Sequence, residues 1–160
     1  MRELQAMERF PLMGFDRSTC TAIIYDAGTE RFTGTTLEGI GQAAVGVLKH
    51  LDATANRFVK CRSIETCQND LLDAYESVTG KKWTVFHNTT KELIKSGKAK
   101  HEAGLSGWVL ELAVAQLFDE GEARCVVASK EKSDAGLLGI REETPQEIVS
   151  KVQGLKASRR

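Results

Sequence analysis

Gly39, Gly41 and Ala44 spell G-x-G-x-x-A inside the stretch Phe32 to Leu48, FTGTTLEGIGQAAVGVL. The pattern nominally matches the fingerprint that brings the pyrophosphate of a dinucleotide against free N–H groups at a helix start. That chemistry needs a strand running straight into the first glycine. Here the nearest strand-like run, Thr21 to Tyr25, ends well before Gly39, and the turn Asp26-Ala27-Gly28 lies between. Thr35 followed by Glu38 reads as a capping box, with the hydroxyl accepting from one end and the carboxylate reaching back from the other. Both glycines therefore fall within a helix that starts near Thr36 and ends near Lys49 and His50. Leu37, Ile40, Ala44, Val47 and Leu48 recur at the spacing of one apolar face of that helix. In this reading the glycines are small residues allowing close helix packing rather than a phosphate loop.

The other residues able to do chemistry do not assemble. A Tyr-x-x-x-Lys acid–base pair is not formed, because Thr29 and Thr79 stand four residues after Tyr25 and Tyr75. Gly104-Leu105-Ser106-Gly107 resembles a nucleophile elbow, but Trp108 occupies the position of the second glycine. Ser106 is thus expected to cap a helix. His50, His87 and His101 do not share ligand spacing with cysteines or carboxylates. His50 suits a helix end and His101 a polar segment. His87, on the strand face that carries Trp83 and Val85, is the one placed to line a pocket. Lys91, Lys95, Lys98 and Lys100 lack aromatic interleaving and read as a solvated face.

Twenty-two basic and twenty-two acidic residues balance over 160 residues, so the total charge favours neither nucleic acid nor an anionic membrane. The four cysteines form no C-x-x-C pair. With no secretory signal read at the N-terminus, they are expected as reduced thiols in the cytoplasm. The apolar run around Trp108 to Phe118 is interrupted by Glu111 and Gln116 and is too short for a bilayer. Asn88-Thr89-Thr90 matches a glycosylation sequon, but without a secretory route it reads as a helix start.

The elements that must position these residues alternate between strand and helix. Residues 1 to 18 form an N-terminal arm with a weak helical pattern over 1–10 and a loop after it. Strands are expected over residues 20–25 (CTAIIY), Arg57 to Cys61 (RFVKC), Lys81 to His87 with Trp83 inward, and Arg124 to Ala128 (RCVVA). Leu71, Leu72, Tyr75 and Val78 mark a second helix stopped by Thr79-Gly80. A short charged helix is expected over Lys91 to Lys95, fading at Ser96-Gly97. The most apolar helix runs from Leu105 to Phe118, and a last one opens at Thr144-Pro145 with proline in its first turn and runs to Gln153. Leu137 to Ile140 reads as a docking turn. The expected class is α/β with helices outnumbering strands. Its parts are the arm (1–18), a late Rossmann-type helix with its strands (19–62), an α/β region of substrate-domain type (63–155), and a frayed tail (156–160).

Three runs carry a family resemblance: Thr35-Thr36-Leu37-x-x-Ile40-Gly41, Asn56-Arg57-Phe58-Val59, and Gln68-Asn69-x-Leu71-Leu72 through Thr79-Gly80-Lys81-Lys82-Trp83-Thr84-Val85. Together they resemble the C-terminal half of an NmrA-like, isoflavone-reductase-like protein of the fungal type, an atypical member of the short-chain dehydrogenase/reductase superfamily. The resemblance spans about residues 14 to 155. It implies an N-terminal Rossmann domain that binds NADP or NAD, and a smaller domain that closes over a small aromatic substrate. In that architecture the glycine-rich phosphate loop and the catalytic lysine belong upstream of these residues. No catalytic, cofactor-binding or metal residue is therefore assigned here, and no cofactor is expected for this chain alone.

Two function classes follow. One is a truncated oxidoreductase part, related to NAD(P)-dependent reductases and inactive alone, with Phe32, Thr33 and Thr35 before the helix start and His87 as candidates to line the substrate pocket. The other is a non-catalytic regulatory or interaction module, engaging a protein partner or a second copy through the apolar Leu105 to Phe118 helix and bare surface. A weaker third is a small binder built on Gly39 to Ala44. A small-molecule substrate is the expected ligand of the first class, with neither nucleic acid nor membrane as partner.

Overall fold

A computed structural model of the chain describes residues 12–157. The helical pattern over 1–10 and residues 158–160 of the tail lie outside them. The strands are β1 (Phe15–Asp16), β2 (Thr21–Tyr25), β3 (Phe32–Gly34), β4 (Ile64–Thr66) and β5 (Thr84–Asn88). The helices are α1 (Leu37–Lys49), α2 (Leu51–Thr54), α3 (Gln68–Thr79), α4 (Thr90–Glu102), α5 (Trp108–Phe118), α6 (Ala135–Leu138) and α7 (Pro145–Ala157). The class is α/β with helices in excess. Two compact units interleave along the chain, one from Met1–Glu30 and Tyr75–Ala123, the other from Arg31–Ala74 and Arg124–Arg160.

In the first unit β2 is central, antiparallel to β1 and parallel to β5, with Ala22 opposite Val85 and Ile24 opposite His87. Parallel neighbours need a long crossover, and the intervening chain supplies the whole 31–74 segment of the other unit. Ala22, Ile24 and Tyr25 are buried. Tyr25 stacks on Phe118 at 5.9 Å, and Trp83 lies 4.8 Å from the Tyr75 ring and 6.0 Å from Phe15. Trp83 is inward, as its alternation predicts. Helix α3 stops where Gly80 takes a left-handed φ of 64°, the conformation glycine adopts without strain.

Helix α4 is longer than its charge pattern implies. Thr89 caps it, accepting from Glu92 N at 3.2 Å, but it runs through Ser96-Gly97 to Glu102. The reason is contact with α5: a Cβ on Gly97 would stand 3.0 Å from Leu112 Cδ2. That packing outweighs the roughly 1 kcal/mol glycine costs a helix. Ser106 does not cap α5. The helix starts at Trp108 from Gly107, whose φ of 93° no other residue adopts easily.

Nor does the charge on α5 mark its solvent side. Glu111 is buried along with Val114, Ala115 and Phe118, and Lys100 reaches one carboxylate oxygen at 2.5 Å while Ser96 lies 3.3 Å from it. The second oxygen, Oε2, finds no partner among the described residues. Removing the lysine leaves a buried carboxylate with one weak donor, whereas removing the carboxylate frees a half-exposed lysine to solvent. Lys100→Met is therefore expected to destabilise by about 1–2 kcal/mol and Glu111→Leu to be near neutral. Urea unfolding of the two variants and their double mutant checks this; equal losses in both single variants contradict it.

In the second unit β3 and β4 form an antiparallel ladder, Phe32 opposite Thr66 and Gly34 opposite Ile64. The strand expected at Arg57 to Cys61 is not formed. Its backbone pairs with Asp134 instead: Lys60 N donates to Asp134 Oδ2 at 2.8 Å, and Asp134 N donates to Lys60 O at 2.9 Å. Arg57 closes the bracket at 2.8 Å from Asp134. The expected strand at Arg124 to Ala128 is likewise absent as a ladder. Thr33 N donates to Cys125 O at 3.0 Å, and the Thr33 hydroxyl takes the next bond from Val127 N at 3.0 Å. A side chain thus stands where a strand would continue.

Helix α1 has the expected extent with a different cap. Thr36, not Thr35, accepts from Gly39 N at 3.2 Å, and Glu38 pairs with Lys151 at 2.8 Å. The reciprocal capping box lies at α7 instead, where Glu147 N donates to Thr144 Oγ1 at 3.2 Å and Thr144 N donates to Glu147 Oε2 at 2.9 Å. That helix continues past Gln153 to Ala157. Leu137 and Leu138 form the end of the short helix α6, with Leu138 and Ile140 buried. Among the described residues no helix is long and apolar enough to cross a membrane.

Candidate functional site

The segment Phe32 to Thr36 runs from β3 into the start of α1, and its surroundings follow from the need to satisfy backbone and hydroxyl groups there. Phe32 buries its ring against the unit's core. Thr33 donates its hydroxyl to Cys125 O at 3.1 Å, and Thr35 donates to Cys61 O at 3.3 Å. Thr36 N donates to the fully buried Ser63 Oγ at 2.9 Å. The Thr36 hydroxyl donates to Glu143 Oε2 at 2.6 Å, and Lys151 pairs with the same carboxylate. Burial works to raise the Glu143 pKa. The hydrogen bonds from Lys151 and Thr36, with the charges of Lys151 and Arg141, overcome it and hold the group below its ordinary value.

Beside this cap lies a chain of alternating charge. Arg62, only 5% exposed, donates to Glu65 at 2.6 Å, to Glu142 at 2.5 Å and to Ala128 O at 3.3 Å. Arg31 continues it from Glu65 to Asp70 at 2.9 and 3.3 Å, and Lys130 completes it at 2.6 Å from Glu142. A guanidinium this deeply placed survives because its fork matches several acceptors at once. Arg62 was not among the residues singled out by motif. Its position after RFVKC, within what reads as a strand end, carried no warning that Ala128 and Glu142 from distant segments converge on it beside the nearby Glu65.

Gly39 and Gly41 both lie inside α1, as the helix reading requires, but they do not share a role. Gly39 is buried, and a Cβ there would stand 3.1 Å from Thr35 Cγ2; Gly41 faces open space. The glycine that permits close approach is Gly46, where a Cβ would come within 2.4 Å of Leu138 O. Between α1 and α6 runs an open groove of about 610 Å³, lined by Gly41, Val45, His50 and Leu137 among others.

Phe32, Thr33 and Thr35 belong to one compact unit and His87 to the other. His87 is exposed on β5. His50 caps the end of α1, its N–H donating to Gly46 O at 3.0 Å, and His101 sits edge-on against Trp108 at 4.5 Å. Among the described residues no group of three or more His, Cys, Asp and Glu could hold a metal ion. The hydroxyls of Thr33, Thr35 and Thr36 are all engaged in holding chain segments together. Their arrangement builds a rigid helix start, not a nucleophile beside a base.

No protein-family profile matches the chain. It is 62% identical over 148 residues to an oxidoreductase of Penicillium oxalicum, poxI, covering 92% of this chain and 47% of that one. It is 32% identical over 87 residues to the oxidoreductase aprR of Aspergillus flavus, covering 54% of this chain and 29% of the other. Its fold is similar, with a TM-score of 0.50 at 17% identity, to a crystal structure of Citrobacter sp. triphenylmethane reductase complexed with NADP(H), covering 91% of this chain and 49% of that one. The chain therefore spans about half the length of the Penicillium oxalicum relative. It is similar in sequence to a fungal oxidoreductase across 92% of its own residues, and in α/β fold to part of a reductase crystallised with NADP(H).

Proposed function

We propose that these 160 residues are the substrate-facing part of an NmrA-like, isoflavone-reductase-like oxidoreductase, with the dinucleotide held by sequence outside them. The observation that carries the reading is the 62% identity to a fungal oxidoreductase over 92% of the chain. The position of the G-x-G-x-x-A pattern supports it: Gly39, Gly41 and Ala44 all lie within α1 and not in a turn between a strand and a helix start. In this reading Phe32, Thr33 and Thr35 shape one wall of a pocket for a small, largely apolar substrate, since their hydroxyls are already committed to backbone carbonyls. His87, exposed on β5, belongs to the other unit and is proposed only as a separate candidate. NADP or NAD supplies hydride chemistry to the complete protein.

Titration of the purified chain with NADPH, followed by nicotinamide fluorescence, tests the assignment. The expected result is a linear, unsaturated response; saturable micromolar binding overturns it and restores a dinucleotide site within these residues.

A further inference from the structure

Helix α5 is inverted with respect to solvent. Glu111, the one charged residue between Trp108 and Phe118, is buried with Val114, Ala115 and Phe118 against its own unit. At 100° per residue the opposite half of the helix turns Val109, Ala113 and Gln116 outward, flanked by the half-buried Leu110, Leu112 and Leu117. Val109 is 60% exposed, and Leu105, just before the helix, 58%. No charge interrupts this face. A helix apolar all round is ordinarily covered on every side, and this one is covered by its unit on one side alone.

The charges around the bare face are separated by sign. On the neighbouring α4, Ser96 and Lys100 reach inward to Glu111, a Cβ on Gly97 would meet Leu112, and His101 lies edge-on to Trp108. Continuing round α4 in the same direction, Ile94 and the exposed Lys98 border the bare face, with Lys98 toward the N-terminal end of α5. Just past the other end of α5 stand Asp119, Glu120 and Glu122, the last two exposed. Lys98, Glu120 and Glu122 take part in no ion pair among the described residues. Acidic groups beyond a helix C-terminus oppose the negative end of its dipole, so α5 by itself gives no reason for them. An uncharged seam with a cation at one end and anions at the other is complementary to itself when reversed.

We propose that a second copy of the chain docks on this face, α5 against α5 about a two-fold axis near Ala113. The antiparallel arrangement carries the acidic end of each copy over the basic flank of the other, Lys98 toward Glu120. Ala113, small and central, lets the two helix axes approach closely. The patch is about 16 Å long and roughly 20 Å wide, two helices side by side. That is well below the roughly 800 Å² per partner of a standard interface, so the pair is a weak and reversible one.

Sedimentation velocity of the full chain from about 5 to 500 μM tests this. The expected result is a monomer–dimer equilibrium with a dissociation constant of about 10–100 μM, weakened at least about thirtyfold by Ala113→Glu. Ala113 is exposed, so the helical circular dichroism of that variant should match the wild type. Lys98→Glu and Glu120→Lys are each expected to weaken the dimer about threefold to fivefold at low salt, and the double variant to recover wild-type association. The two positions lie at opposite ends of α5 and cannot pair within one copy, so recovery reports a contact between copies. This arm stands even where Ala113→Glu unfolds. A chain that stays monomeric throughout the range overturns the proposal and leaves the face to a different partner. So does a dimer indifferent to Ala113→Glu with circular dichroism intact, or a double variant no tighter than the single ones. A dimer dissolved by Leu37→Glu in place of Ala113→Glu also overturns it, assigning self-association to α1.

Discussion

Gly46→Ala is expected to destabilise the chain by about 2–3 kcal/mol, although the same change in an exposed helix interior is favourable. The added Cβ would lie 2.4 Å from Leu138 O, 2.6 Å from Leu138 Cα and 2.8 Å from Leu138 C. These are backbone atoms, and no rotamer change can move them aside. Either α1 shifts as a body or α6 does, and the buried Leu138 side chain loses its seat. Gly41→Ala is the control five residues earlier. Nothing lies within 4 Å of its Cβ direction, so only helix propensity acts, with a gain of about 0.5–1 kcal/mol. Thermal unfolding of the two variants should move in opposite directions. A loss at Gly41 or tolerance at Gly46 would mean that the contact between α1 and α6 is not formed as described.

Arg62→Met should cost about 2–4 kcal/mol near neutral pH, because it strips a buried cation from two carboxylates and a carbonyl while keeping most of its volume. The pH dependence identifies the cause. Glu65 is held below its usual 4.5 by Arg31 first, then by Arg62 against the opposing pull of burial. Glu142 is depressed by Lys130 first and Arg62 second. A carboxylate with a lowered folded pKa contributes stability above its unfolded value, and that contribution disappears as pH falls through the folded one. The wild type should therefore lose stability progressively as pH drops below about 4.5, the ordinary glutamate value. The gap between wild type and Arg62→Met should close over the same range. Urea midpoints measured at neutral and acid pH decide the matter, and a gap that stays constant would assign the loss to packing of the arginine stem instead.

Local signals located most of the helices correctly. Thr79-Gly80, Thr89 and Thr144-Pro145 each act through groups within a few residues of themselves, so stop and start signals there are legible without tertiary knowledge. The strands were legible only where alternation came with a buried partner. Thr21 to Tyr25 pairs as expected, whereas Arg57 to Cys61 has equal propensity and no ladder, because Asp134, more than seventy residues away, takes its backbone groups. Of the site, the placement of the glycines inside a helix was readable from spacing. The candidates Phe32, Thr33, Thr35 and His87 remain a proposal about the complete enzyme.

The chain's own order of residues determined the α/β class, the helix over Leu37 to Lys49 and the apolar strip along it, because periodicity and capping act over a single turn. It did not determine which side of that helix is inside. Spacing marks where apolar residues align, and burial depends on what arrives from elsewhere: Leu138 against Gly46 on one side, nothing described on the other. The same limit hid Arg62 and Glu111, whose burial is made tolerable by partners up to eighty residues away for the first and fifteen for the second. Charge reads as exposure until tertiary structure supplies the counter-charge, since desolvation is offset only by groups that folding brings together.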